Sequence, residues 1–293
     1  MKMFIGGNWV DKDEKIDVHN PFDGSVIDTV PRGDAQDVEA AITSAQRGAE
    51  IMRTMPAYER YEILHKASEL MTERLEELGR TVSSEEGKII SEGLGEAARA
   101  QETITLSAVE AKRLYGETLP LDAASNGAGK FGLTLRVPCG VVAAITPFNF
   151  PLNLVCHKVA PAIAAGCPVV LKPASATPLT AISLAEVLLE ECGLPSGWLN
   201  VVTCPGSTAA HLVEHGDVAM ITFTGSPPVG WNIRATAPHK KVSLELGNNS
   251  PIVVEPDVDP LIAASKLKVA AFGYAGQTCI STQRIYVHED IAT

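Results

Sequence analysis

The stretch GVVAAITPFNFPLNLVCHKVAPAIAAGCPVVLKP, Gly140 to Pro173, decides the fold. It opens with the apolar run GVVAAIT (Gly140 to Thr146), turns at two prolines, and continues as a helical stretch over Leu154 to Ala165. A second apolar run, PVVLK (Pro168 to Lys172), closes it. Near-continuous apolar runs of this kind mark parallel strands buried on both faces. Two such strands joined by a helix make a right-handed crossover unit.

Outward from this unit the rhythm repeats. Further strands are expected at LNVVT (Leu199 to Thr203), VAMITFT (Val218 to Thr224), KVSLE (Lys241 to Glu245) and SPIVV (Ser250 to Val254). Helices are expected between them over Pro178 to Cys192 and Ser207 to His215. The pattern predicts an α/β fold with a doubly wound parallel sheet. Residues 1–138 read as mostly helical. Asp34 caps a first helix that runs to about Thr54, with Asp37 three residues on. A second helix is expected over Pro56 to Ser83 and a third over Gly93 to Tyr115. Asn126-Gly127 and Gly129 then mark the turn of a β-hairpin excursion.

The bulk numbers narrow the classes of function. The 293 residues carry 35 acidic and 24 basic side chains, a net charge of -11, which argues against nucleic acid and anionic membranes as partners. No apolar window approaches membrane-spanning length, and the polar start MKMFIGGNWVDKDEK does not read as a signal peptide. The six cysteines are scattered without C-x-x-C spacing, as reduced cytoplasmic thiols are. No histidine clusters with them, so no metal site is expected.

Ligands of doubly wound sheets bind beyond the carboxyl ends of the strands, so those ends are read for chemistry. After the first strand, Asn149 lies between aromatics in TPFNFP; its amide can donate to an oxyanion, or it can bond its own turn. Lys172 ends a buried strand, where it either holds a nucleotide or snorkels to the surface. Gly225 and Ser226 precede a helix starting near Pro227, a geometry suited to phosphate. Glu245 ends an apolar strand; burial there would raise its pKa towards that of a general base, whereas a surface position would not. Cys279, in FGYAGQTCIST (Phe272 to Thr282), follows a glycine-bounded apolar helix and is either a loop nucleophile or a buried thiol. No G-x-G-x-x-G follows the first strand, so any nucleotide binds by another arrangement.

Taken in order, ITPFNFPLNL, GCPVVLKP, VVLKPASATPLTA, ITFTGSPPVG, VSLELGNNSP and GYAGQTCIS resemble the aldehyde dehydrogenase superfamily. FIGGNWV and NPFDGSVI near the N-terminus are similar as well, so the resemblance covers essentially the whole chain. It implies NAD(P)-dependent oxidation of an aldehyde to a carboxylic acid on a variant Rossmann sheet that lacks the glycine fingerprint. Cys279 would be the nucleophile that forms a thiohemiacetal, and Glu245 would activate the water that hydrolyses the thioester. The Asn149 amide and the Cys279 N–H would form the oxyanion hole. The cofactor would lie along Ile145, Thr146, Pro147, Phe148, Lys172, Ser175, Phe223, Thr224, Gly225, Ser226, Val229, Leu246 and Gly247.

Where NAD-preferring members often carry glutamate, Ser175 stands here, which predicts that NADP is accepted. Asn248 replaces the second of two usual glycines. The Asn248-Asn249 pair and GQTCIS look most like the lactaldehyde, phosphorylated-aldehyde and semialdehyde dehydrogenases. The resemblance divides the chain into 1–138, packed on a cofactor domain at 139–257, and the start of a catalytic domain at 258–293. The later E-x-F-G-P motif and the oligomerisation strand of the family have no counterpart here. From this the catalytic domain is expected to be incomplete, the isolated chain inactive, and a full-length form a homodimer or homotetramer. A cofactor-binding remnant and a CoA-acylating dehydrogenase are the alternatives.

Overall fold

Short apolar segments at the N-terminus form two antiparallel ribbons, β1 (Met3–Ile5) with β2 (Asn8–Val10) and β3 (Lys15–His19) with β4 (Val26–Pro31). A computed structural model describes residues 1–292. These four strands correct the expectation of a mostly helical start. Strands of three residues are too short to show a period of two, and β1 is stabilised from afar, through Phe4 paired to Val201.

Four helices follow: α1 (Ala35–Met52), α2 (Ala57–Glu73), α3 (Leu75–Glu86) and α4 (Ile90–Ala111). Asp34 caps α1 as expected, accepting from the N–H groups of Gln36 and Asp37 while Asp37 returns a bond to the Asp34 N–H. Lys12 reaches both carboxylates, at 2.6 and 2.5 Å. The single helix expected over 56–83 is two. The break falls at Arg74, whose guanidinium bonds Glu191 at 2.6 Å. That tether is tertiary, and the apolar period runs through it without a mark. A hairpin of β5 (Thr118–Leu119) and β6 (Gly132–Leu133) stands where Asn126-Gly127 placed it.

The remaining chain alternates β7 (Val141–Ile145), α5 (Asn153–Ala164), β8 (Val169–Lys172), α6 (Leu179–Glu186), β9 (Leu199–Val201), α7 (Ala209–Glu214), β10 (Val218–Thr224), α8 (Pro227–Thr236) and β11 (Lys241–Glu245). These strands form one sheet in the order β11-β10-β7-β8-β9-β1-β2. All pairs from β11 to β9 are parallel, and β1 and β2 add on antiparallel. The winding reverses between β7 and β10, which opens a crevice at their carboxyl ends. Every residue of β7, β8 and β9 is buried. Successive side chains point to opposite faces, so Leu171 packs beneath α5 and α6 while Val170 packs under α1.

One expected strand lies elsewhere. β12 (Pro251–Val254) leaves the main sheet and pairs in parallel with β13 (Arg284–Val287), beyond α9 (Pro260–Phe272). The carbonyl of Ser250 accepts from the N–H groups of Gln283 and Arg284 at 3.0 and 3.3 Å, which fixes that second sheet. No residue of α9 is buried.

These packing differences set expected stabilities. Leu171→Ala, at a site with no exposed surface, should lower the unfolding free energy by about 2–5 kcal/mol. Leu261→Ala on α9, 80% exposed, should change it by less than about 0.5 kcal/mol. Denaturant titration of both variants checks the contrast.

Candidate active site

The four parallel strands nearest the reversal deliver four turns to one place. Ile145–Asn149 follow β7, Lys172–Ala176 follow β8, Thr224–Ser226 follow β10 and Glu245–Gly247 follow β11. Gly276–Cys279 close the far side. Together they bound a cleft of about 750 Å³. Every residue given a role from the sequence lines it, from Ile145 and Lys172 through Val229 and Leu246 to Cys279.

Cys279 owes its position to a strained turn. After α9 the backbone passes through three left-handed residues, Tyr274 (φ 48°), Ala275 (φ 52°) and Gly276 (φ 77°). Left-handed φ is free for the glycine but costs roughly 1–2 kcal/mol at each of the other two. Long-range contacts hold the strain. Tyr274 donates its N–H to Glu92 Oε1 at 3.1 Å and its hydroxyl to the Glu86 carbonyl at 3.3 Å. Beyond the turn, Ser281 is 2% exposed and donates to the Ala271 carbonyl at 3.2 Å. The Asn248 amide donates to the Cys279 carbonyl, so it grips the cysteine loop. Cys279 itself is half-buried and faces the cleft.

Asn149 and the cysteine loop are joined directly. Asn149 Nδ2 donates to the Gln277 carbonyl at 2.7 Å, two residues before Cys279. A carboxamide has two N–H donors, so one remains for a ligand. Asn149 Oδ1 is buried without a partner among the described residues, as are the hydroxyls of Thr146 and Thr224. All three side chains line the cleft. Buried polar atoms are rarely left unpaired, and these three lie together where a ligand would satisfy them.

Glu245 takes the surface position of its two readings. It lines the cleft, and its backbone carbonyl accepts from the Gly225 N–H at 3.0 Å, but its carboxylate is exposed rather than buried. β11 is the edge of the sheet, and its residues alternate between exposed and half-buried. The polar-apolar alternation of KVSLE agrees with that edge position.

The opposite wall suits a dinucleotide. Lys172 is 8% exposed, and burial lowers its pKa. Ser175 donates to the Cys204 carbonyl at 3.1 Å. Pro227 and Pro228 open α8 without N–H groups, so Val229 is the first residue of that helix with a donor to offer. One lysine, unpaired hydroxyls and a helix start fit an anionic nucleotide, and no carboxylate stands at position 175.

Comparison with known proteins settles the family. The family model described as "Aldehyde dehydrogenase family" matches residues 9–293. The chain belongs to the aldehyde dehydrogenase family. It is 48% identical over 292 residues to the 3-sulfolactaldehyde dehydrogenase of Priestia aryabhattai, covering 99% of this chain and 61% of that protein. It is 40% identical to the succinate-semialdehyde dehydrogenase [NADP(+)] of Escherichia coli (strain K12), over 98% of this chain and 60% of that one. Among solved structures, the NADP-dependent glyceraldehyde-3-phosphate dehydrogenase of Bacillus halodurans C-125, complexed with NADP, superposes with a TM-score of 0.96 at 37% identity. That match covers 99% of this chain and 62% of the other. The chain thus spans about three fifths of the length of the curated relatives it matches.

For this aldehyde dehydrogenase family member, sequence reasoning missed the support beneath the site. Lys88 is 5% exposed. Its ammonium lies 2.6 Å from Glu96 Oε2 and 3.1 Å from Glu86 Oε2, and donates to the Asn149 carbonyl at 2.8 Å. The Glu86 pair has the distance of an ion pair without hydrogen-bond geometry, and burial pushes the Glu86 pKa up to about 8 against the pull of Lys88. The rings of Phe150 and Tyr274 lie 3.7 and 4.6 Å from the same ammonium. Glu96 Oε1 accepts from the N–H groups of Leu152 and Asn153, at the entrance to α5. A signal was present in the sequence, because Glu96 falls on the buried stripe of α4 with Gly93, Ala97, Ala100 and Ile104. A second lysine also went unread. Lys158 on α5 is 4% exposed, donates to Thr222 Oγ1 at 3.1 Å, and has its pKa lowered to about 8 by burial, opposed by the charge of Glu245.

Removing one member of a buried ion pair leaves an uncompensated charge. Lys88→Met should therefore destabilise the protein by about 3–5 kcal/mol. Lys88→Met with Glu96→Gln should cost less than the sum of the single changes. Equilibrium unfolding of the two single variants and the double variant measures that coupling.

Proposed function

We propose that this chain carries the cofactor cleft and the nucleophile of an enzyme that oxidises an aldehyde to a carboxylic acid with NAD(P). The observation that carries the reading is the meeting of Cys279, Asn149 and Glu245 in the same cleft as the strand-end turns. Cys279 Sγ adds to the aldehyde carbon as a soft nucleophile. The free Asn149 N–H and the Cys279 N–H stabilise the oxyanion that forms, as donors aimed at developing charge do. A bound nicotinamide supplies the hydride acceptor that carries the adduct to a thioester. Glu245 then takes a proton from the water that attacks the thioester. Its exposure gives that water a direct path.

Lys172, Ser175 and the two threonine hydroxyls at 146 and 224 hold the dinucleotide in this reading. With serine rather than glutamate at 175, a 2'-phosphate meets no carboxylate at that position, so NADP is accepted. The division into a cofactor domain at 139–257 and a catalytic segment from 258 follows the departure of β12 from the main sheet only approximately, because β12 already belongs to the second one. For the substrate we favour an aldehyde with an anionic tail. The names of the sulfolactaldehyde and succinate-semialdehyde relatives support this. Catalysis by a full-length homodimer or homotetramer completes the proposal.

Calorimetric titration should show NADP⁺ binding to the chain, and Cys279→Ala should keep that affinity within about twofold, because the thiol is spent on chemistry rather than binding. Binding of neither NADP⁺ nor NAD⁺ would sink the cofactor reading. In the full-length enzyme, Glu245→Gln, incubated with succinate semialdehyde and NADP⁺, should accumulate an acyl group on Cys279 that mass spectrometry detects. Rapid release of that acyl group from the variant would place the base elsewhere.

A further inference from the structure

The amino ends of the central strands, opposite the cleft, hold two thiols side by side. Cys139 stands two residues before β7 and Cys167 two residues before β8, with their sulfurs 3.7 Å apart and in hydrogen-bonding contact. The neighbouring bond from the Val142 N–H to the Pro168 carbonyl, 2.9 Å, fixes the two strand starts against each other. We propose that Cys139 and Cys167 form a redox-active dithiol that closes to a disulfide on reaction with a peroxide, independently of Cys279.

Three observations support this. The first is distance: a disulfide needs about 2.05 Å between sulfurs, so the pair must close by about 1.7 Å. Each cysteine adjoins a glycine with left-handed φ, Gly140 at 113° and Gly166 at 78°, in the turns that must adjust. The second is charge. Lys241 acts on Cys139 from β11, and Arg60 of α2 lies beside Cys167, its guanidinium carbon 3.9 Å from where a Gly166 side chain would begin. Reactive thiols sit in electropositive, partly exposed surroundings of this kind. The third is contrast. The hydrogen bond from Cys167 lowers the Cys139 pKa to about 6, whereas burial raises those of Cys192 and Cys204 to about 11 and that of Cys156 further. Cys139 is half-buried and reachable; Cys156, Cys192 and Cys204 are buried.

The step balances with a peroxide as the two-electron oxidant. The Cys139 thiolate attacks a peroxide oxygen, the O–O bond breaks, and a sulfenic acid and hydroxide form. The Cys167 sulfur then attacks the sulfenic sulfur, and its proton leaves with the displaced hydroxyl as water. Two thiols and one hydrogen peroxide give one disulfide and two waters. A small dithiol reverses the change.

The test uses the 293-residue chain with Cys279→Ala, so that oxidation of the cleft cysteine cannot be mistaken for it. Brief exposure to hydrogen peroxide should lower the intact mass by two hydrogens, give a Cys139–Cys167 cross-linked peptide on digestion, and be undone by dithiothreitol. Iodoacetamide should label Cys139 first, with a rate midpoint near pH 6 rather than at about pH 8.5. In Cys167→Ser that midpoint should rise and a dimedone-trapped sulfenic acid should replace the cross-link. Addition of oxygen at Cys139 without a cross-link in the Cys279→Ala chain would overturn the proposal. A labelling midpoint at the ordinary thiol value would also overturn it. Neither result would bear on NADP binding or on acylation of Cys279.

Discussion

One buried cation constrains the centre of this molecule. Taking an ammonium out of water costs several kcal/mol, and Lys88 offsets that only by gathering everything around it. It holds Glu86 at the end of α3, Glu96 in α4, the Asn149 carbonyl after β7, and the faces of Phe150 and Tyr274. Those groups come from separate elements. None can shift far without exposing or stranding a charge, so the helical layer and the sheet are locked together at the point where the cleft begins.

The strained turn before Cys279 is a second consequence of the same arrangement. Tyr274 and Ala275 would not choose left-handed backbone alone. Tyr274 is held there by Glu92 and by the Glu86 carbonyl, both from the neighbourhood of the Lys88 cluster. The sheet supplies the other half of the site by ordinary means. Parallel strands end together, the winding reverses between β7 and β10, and the turns that follow are carried to one edge of the sheet.

Much of this was legible in the chain. The apolar runs of β7, β8 and β10 announce buried parallel strands, and reading the turns after them gave Asn149, Lys172, Gly225 and Ser226, while Cys279 was read from the glycine turn after an apolar helix. What escaped had a physical reason. The β1–β2 ribbon is too short to show a period, and its pairing with β9, from Phe4 to Val201, spans about two thirds of the chain. The break at Arg74 depends on Glu191. Glu245 takes the surface reading left open for it, and the alternation of Lys241, Val242, Ser243, Leu244 and Glu245 matches a strand with one face exposed at the sheet edge. The Lys88 cluster was partly visible, as a glutamate on the buried stripe of a helix, yet its partner residues are scattered over Glu86, Glu96, Asn149 and Tyr274. Charges in apolar stripes are the sequence mark of such networks, and their partners emerge only in three dimensions.

The bond from Asn149 Nδ2 to the Gln277 carbonyl has a mechanical meaning. Lys88 bears on the Asn149 turn from below and on Tyr274 from the side, while this bond ties the two turns to each other above it. A displacement of α3 or α4 therefore carries the amide and the cysteine loop in the same direction. Their separation is thereby insulated from motion of the scaffold. The rest of the cleft is free to vary in shape and charge without detuning that pair.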